Sequence, residues 1–143
     1  TAQLMAFSQH VWDAAESAAY IGAAKEGLEG VGPKRFLYLV AQNDSQVPNL
    51  ASDIAVRMTD MPVLADSSYI PWGSTVIDGP TTDSAFISID MGDRATPRGN
   101  DSPDEDDGGH NTAALTEEGV GMIVHFFETG EIASTCGGPC VLY

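Results

Sequence analysis

The sequence predicts an α/β fold, a small and mainly parallel sheet with helices on its faces. Three observations point there. The run Phe36-Leu-Tyr-Leu-Val40 is apolar, aromatic and branched, and of strand length. A second short run, Ser84-Ala-Phe-Ile-Ser-Ile-Asp90, is β-branched and ends at Gly92. Between and after these runs lie stretches whose apolar residues recur at helical spacing. Strands covered on both faces read as continuous apolar runs, which suits a parallel sheet sandwiched between helices.

The elements follow in order. Residues 4–28 are rich in alanine and helix formers, and Leu4, Phe7, Val11, Ala14 and Ala18 keep roughly helical spacing. Gly27, Gly30, Gly32 and Pro33 close this helix and lead into the first strand. That strand ends in the polar turn Gln42-Asn43-Asp44. Pro48 or Asn49 then opens a helix over 49–59, with Leu50, Ile54 and Met58 on one face. Residues 60–83 are broken by Pro62, Pro71, Gly73, Gly79 and Pro80. They read as a long connection with a short strand near 75–77, which Tyr69 and Trp72 pack down, with lining of a pocket as the competing reading. After the second strand, 92–109 is a second long loop. Thr112 to Glu128 is the last helix, with Thr112 as its cap and Leu115, Gly119, Met122, Ile123, Phe126 and Phe127 on its apolar face. Gly130 stops it. His125, on this helix, reads as structural. The whole chain, 1–143, is expected to form one domain around one core.

Composition excludes several classes of partner. With 6 basic and 21 acidic residues the net charge is −15, which opposes binding to nucleic acid or to anionic membrane surfaces. No apolar run is long enough to span a membrane, and no basic-then-apolar signal segment opens the chain. Residues 101–107 hold five acids, Asp101, Asp104, Glu105, Asp106 and Asp107. Their spacing departs from an EF-hand loop, so they read as a solvated acidic face, with a calcium loop as the competing reading. No cofactor and no metal are called for. The two cysteines, Cys136 and Cys140, stand in Cys-Gly-Gly-Pro-Cys. A zinc site needs four ligands, and a redox pair is usually Cys-x-x-Cys at a helix start. Neither context is present, so a small-loop disulfide is expected, and with it a secreted or periplasmic protein.

Asp44 and His110 are the candidate site residues. Each follows a strand, and in a parallel sheet two strands ending at one rim would bring their side chains together. Asp is also a common turn former and helix cap, and both readings of Asp44 stand at this point. A carboxylate bonded to a histidine Nδ1–H fixes its tautomer and stabilises the imidazolium, and histidine titrates near neutrality. That pair is the supporting half of a nucleophilic triad.

From about residue 34 to 143 the chain resembles the C-terminal part of an α/β-hydrolase. Asp44-Ser-Gln-Val-Pro48 is similar to the family's acid turn, Asp-x-x-Val-Pro, after the penultimate main strand. Gly109-His110 is similar to the histidine loop that precedes the closing helix, and acid before histidine is the family's order. Residues 44–52 and the Cys-x-Gly-Pro-Cys ending resemble the tail of large secreted bacterial hydrolases. The resemblance implies acyl chemistry on small ester-like substrates, with Asp44 orienting His110. It also implies a serine on a Gly-x-Ser-x-Gly elbow upstream. That elbow is missing here, since Ser8 and Ser17 are the only serines before Asp44 and neither has flanking glycines. On this resemblance the chain would be the C-terminal chain or fragment of a secreted, cleaved or multi-chain serine hydrolase, with the serine on another polypeptide. The alternative is a non-catalytic, acidic, disulfide-tied subunit of an extracellular assembly. A truncated parallel sheet leaves an open edge, so both readings expect a partner chain or self-association.

Overall fold

The computed structural model describes residues 3, 4, 8, 17–92, 105 and 108–142. The chain groups into two compact units, Thr1–Lys34 and Arg35–Tyr143.

In the first unit, α1 spans Ser17–Glu26. Gly27 ends it at φ 95°, a left-handed conformation that costs a glycine little. A tight return follows, with Leu28 and Val31 exchanging both backbone hydrogen bonds at 2.9 and 2.8 Å.

In the second unit the elements are β1 (Leu37–Ala41), α2 (Asn49–Thr59), β2 (Val63–Leu64), β3 (Val76–Ile77), β4 (Ala85–Ile89), α3 (Gly109–Thr112), a 3₁₀ turn (Ala113–Leu115) and α4 (Glu117–Thr129). The four strands form one sheet in the order β1-β4-β2-β3, and every pairing within it is parallel. This is the expected α/β arrangement. β1 and β4 run in register from Leu37 opposite Ala85 to Ala41 opposite Ile89, so both strands finish at one rim.

β4 is the hub, with all five residues buried. Successive side chains of a strand point to opposite faces. Ala85, Ile87 and Ile89 accordingly pack with Ala113 and with Met122 of α4, while Phe86 packs with Val56 of α2, Met61 and Val63. Phe86 also takes the edges of Tyr38 and Tyr69, at centroid distances of 5.9 and 5.7 Å. Burying side chains of this size contributes roughly 1.5–3 kcal/mol each. Ser88 is the one polar residue of the strand, and its hydroxyl is satisfied by Tyr69 N–H at 3.0 Å, Tyr69 C=O at 3.2 Å and the Ser68 hydroxyl at 3.0 Å.

Several details differ from the sequence reading. The 60–83 connection contains two strands, not one. Val63–Leu64 is too short to show any periodicity, yet both residues are buried between β4 and β3. Tyr69 packs as expected, but Trp72 is 85 % exposed and pins nothing. The last helix is capped by Thr116 rather than Thr112. Thr116 has the extended backbone of an N-cap, and its hydroxyl accepts from Gly119 N–H. Leu115 therefore sits outside the helix, 75 % exposed, and Phe127 is 81 % exposed rather than on the core face. The acidic residues 101–107 lie outside the described residues except for Glu105. Among the described residues, no helix is long and apolar enough to cross a membrane.

Cys136 and Cys140 form the expected disulfide. It closes a loop that locks onto the rim: Cys140 N–H donates to Asp66 C=O at 2.7 Å, and Asp90 N–H donates to Cys140 C=O at 2.8 Å.

Candidate functional site

The site starts from a turn forced by the end of β1. The chain must leave the sheet before α2, and Asn43 takes a left-handed conformation at φ 59°. Asparagine tolerates that region better than other side chains with a Cβ. The first residue of α2 holds the turn shut. Asn49 Oδ1 accepts Asn43 N–H and Asn49 Nδ2 donates to Ala41 C=O, each at 2.8 Å. Asp44 then folds back on its own loop, its Oδ1 accepting Gln46 N–H at 2.8 Å and Val47 N–H at 2.9 Å. The turn-former reading of Asp44 is thus correct for one of its two oxygens.

The other oxygen faces His110. Asp44 Oδ2 lies 2.6 Å from His110 Nδ1, across 66 positions of sequence. A separation this short suits a charge-assisted bond. The structure therefore brings together the two residues singled out in the sequence. The reason is topological: β1 and β4 are neighbours, parallel and level at their ends, and Asp44 and His110 both lie beyond that shared rim.

The two partners differ in exposure. The Asp44 side chain is 7 % exposed and that of His110 36 %. A buried carboxylate fed by three donors is fixed in place, and the ring it holds is partly open to solvent. Among the described residues, Asp44 is the only hydrogen-bond partner of the His110 ring. With Nδ1–H donating to the carboxylate, the lone pair of a neutral ring lies on Nε2. That nitrogen can accept a proton and return it.

His110 is carried on the single turn α3. Gly108 precedes it at φ 81°, and Thr112 returns a hydroxyl bond to Gly108 C=O at 2.8 Å. Behind it, the 3₁₀ turn buries Ala113, and the following α4 packs its Gly119 tightly against that turn. His125 has a different neighbour, its Nε2 lying 4.0 Å from Glu131 Oε2. Among the described residues, no group of three or more metal-ligating side chains converges.

Sequence reasoning did not single out Asn49 as a site residue, although it is the clamp on the Asp44 turn. Its signal was an Asn directly after Pro48 at a helix start, which was read only as a helix opener. Gln46 and Val47 meet Asp44 Oδ1 through their backbone N–H groups, which no side-chain pattern marks.

Family models, curated proteins and solved structures were all compared with the chain, and none matches it.

Proposed function

We propose that this chain supplies the acid and base of a secreted serine hydrolase acting on esters or similar acyl substrates, with the nucleophilic serine on a second polypeptide. The single observation that supports it is the 2.6 Å contact between the buried Asp44 carboxylate and His110 Nδ1. In this reading Asp44 orients the ring and stabilises its charged form. His110 Nε2 takes the proton of the serine hydroxyl as its oxygen attacks the acyl carbon, then returns that proton to the leaving group. The resemblance of 44–48 and 109–110 to the acid turn and histidine loop of α/β-hydrolases supports the same assignment. The disulfide supports maturation in an oxidising compartment, outside the cell or in a periplasm.

A second reading is a non-catalytic subunit of an extracellular assembly. It is favoured by the sheet edge, where β1 pairs with β4 alone among the described strands. One experiment separates the two. Native material is analysed by intact mass, then treated with a serine-directed fluorophosphonate. Labelling of a co-purifying chain that bears the elbow supports the hydrolase. A particle made only of copies of this chain, unlabelled, overturns it in favour of the assembly subunit.

A further inference from the structure

The helix α4 is apolar on two sides. Met122 and Gly119 face the core and are buried. Val120, Val124 and Phe127 face away from it, at 43, 46 and 81 % exposure. Their spacing of four and three residues keeps them within about 60° of arc at 3.6 residues per turn. Three anchors at i, i+4 and i+7 form the pattern by which one helix docks on another. The stripe has a charged margin. Glu117 and Glu128 are exposed, lie beside Val120 and Val124 on the helix surface, and have no ion-pair partner among the described residues.

We propose that this stripe docks a basic amphipathic helix of a partner polypeptide, its apolar side chains on Val120, Val124 and Phe127 and its cations against Glu117 and Glu128. Charge decides between occupants. A second copy brings 21 acids against 6 bases, so two copies repel rather than neutralise one another. One of those bases, Arg35, is already committed to Gly130 C=O at 2.6 Å and Thr82 C=O at 3.1 Å. The chain's own first 34 residues carry two lysines against four acids, a net negative balance as well. Anionic membrane is disfavoured by the same margin. The inference does not depend on the hydrolase reading, because it concerns the outer face of α4 and uses neither Asp44 nor His110.

The test uses the whole chain and a fluorescein-labelled Leu/Lys peptide patterned at helical spacing, followed by anisotropy. A scrambled peptide of the same composition and a Leu/Glu peptide are the controls. The patterned Leu/Lys peptide is expected to bind about tenfold more tightly than the scrambled one, and the Leu/Glu peptide not at all. Phe127→Ser, and separately Val124→Thr, should weaken binding with unchanged circular dichroism, both sites being exposed. Glu117→Gln with Glu128→Gln should flatten the salt dependence. Equal binding of patterned and scrambled peptides, or unchanged binding by Phe127→Ser, reduces the surface to general acidity and overturns the proposal. Failure of the Leu/Lys peptide to bind overturns it too, as when the chain's own N-terminal residues cover the stripe. So does self-association that Phe127→Ser abolishes.

Discussion

Asn49 clamps Asn43. The side chain that opens α2 takes the Asn43 amide on its oxygen and gives its nitrogen to Ala41 C=O, holding both ends of a turn that contains one left-handed asparagine. Asn49→Ala should cost about 1–2 kcal/mol in denaturant unfolding, since it strands two backbone groups. Asn49→Asp keeps the acceptor and loses the donor, so it should fall between the two. Equal stability of all three proteins would show that the turn stands without the clamp.

The Asp44–His110 contact predicts a tautomer. Nitrogen-15 chemical shifts of His110 should report Nδ1–H in the native chain, and Asp44→Asn should abolish that preference. In an active assembly Asp44→Asn should lower turnover by about 10⁴-fold, and His110→Ala by several orders of magnitude, with circular dichroism unchanged in each case. Unaltered turnover in His110→Ala would remove the ring from the chemistry.

Gly119 is where α4 meets the 3₁₀ turn that carries on from His110. A Cβ there would stand 2.4 Å from Ala113 C=O and 3.0 Å from Ala114 Cα, both backbone atoms with no room to give. Alanine is otherwise the better helix former by about 1 kcal/mol. Gly119→Ala is nonetheless expected to destabilise by about 2 kcal/mol, read from the unfolding midpoint. A stabilised variant would mean that this packing is looser than it stands here.

The disulfide closes a loop of sequence separation 4, so its stabilisation by chain entropy is modest. Reduction should cost about 2 kcal/mol, seen as a lower Tm in thiol reductant. Because Cys140 backbone bonds to Asp66 and Asp90, amide exchange should rise at those rim positions before it rises in β4.

Burial, reinforced by the neighbouring Asp53 carboxylate, pushes the Tyr69 hydroxyl well above the ordinary tyrosine range. Burial also raises Asp53, against the pull of its hydrogen bond to Tyr69 and of Arg57. The sign for Tyr69 follows from linkage. Below about pH 10 folded and unfolded chains both keep the phenol proton, and the contribution is fully present. Above that the unfolded chain releases the proton while the folded one holds it, so stability declines with rising pH. Tyr69→Phe should remove up to one proton from the slope of an alkaline unfolding series. An unchanged slope would assign the decline to other groups.

Much of this was legible in the residues. The run at 36–40 and the β-branched run at 84–90 gave both long strands, because burial on two faces demands continuous apolar sequence. Helix 49–59 was legible from its proline start, but not its buried face: Ser52, Val56 and Thr59 face inward, while Ile54 and Met58 of the expected Leu50-Ile54-Met58 face are 41 and 50 % exposed. The meeting of Asp44 and His110 follows from the parallel reading, since strands level at one rim deliver whatever comes next to the same place. The rest left little trace. A two-residue strand such as Val63–Leu64 has no period to detect. Thr112 and Thr116 are equally good caps by type, and only the intervening 3₁₀ turn decides between them. The outward Phe127 is invisible to a rule that sends large apolar residues inward.

The pairing of β1 with β4 joins segments 48 positions apart, from Leu37 with Ala85 to Ala41 with Ile89. Closing so wide a span is entropically slow, and no local contact can substitute for it. The carboxylate and the imidazole, 66 positions apart, therefore meet through long-range closure and not through any local turn. Appearance of the His110 Nδ1–H signal during refolding would then serve as an intrinsic clock for arrival at the native topology.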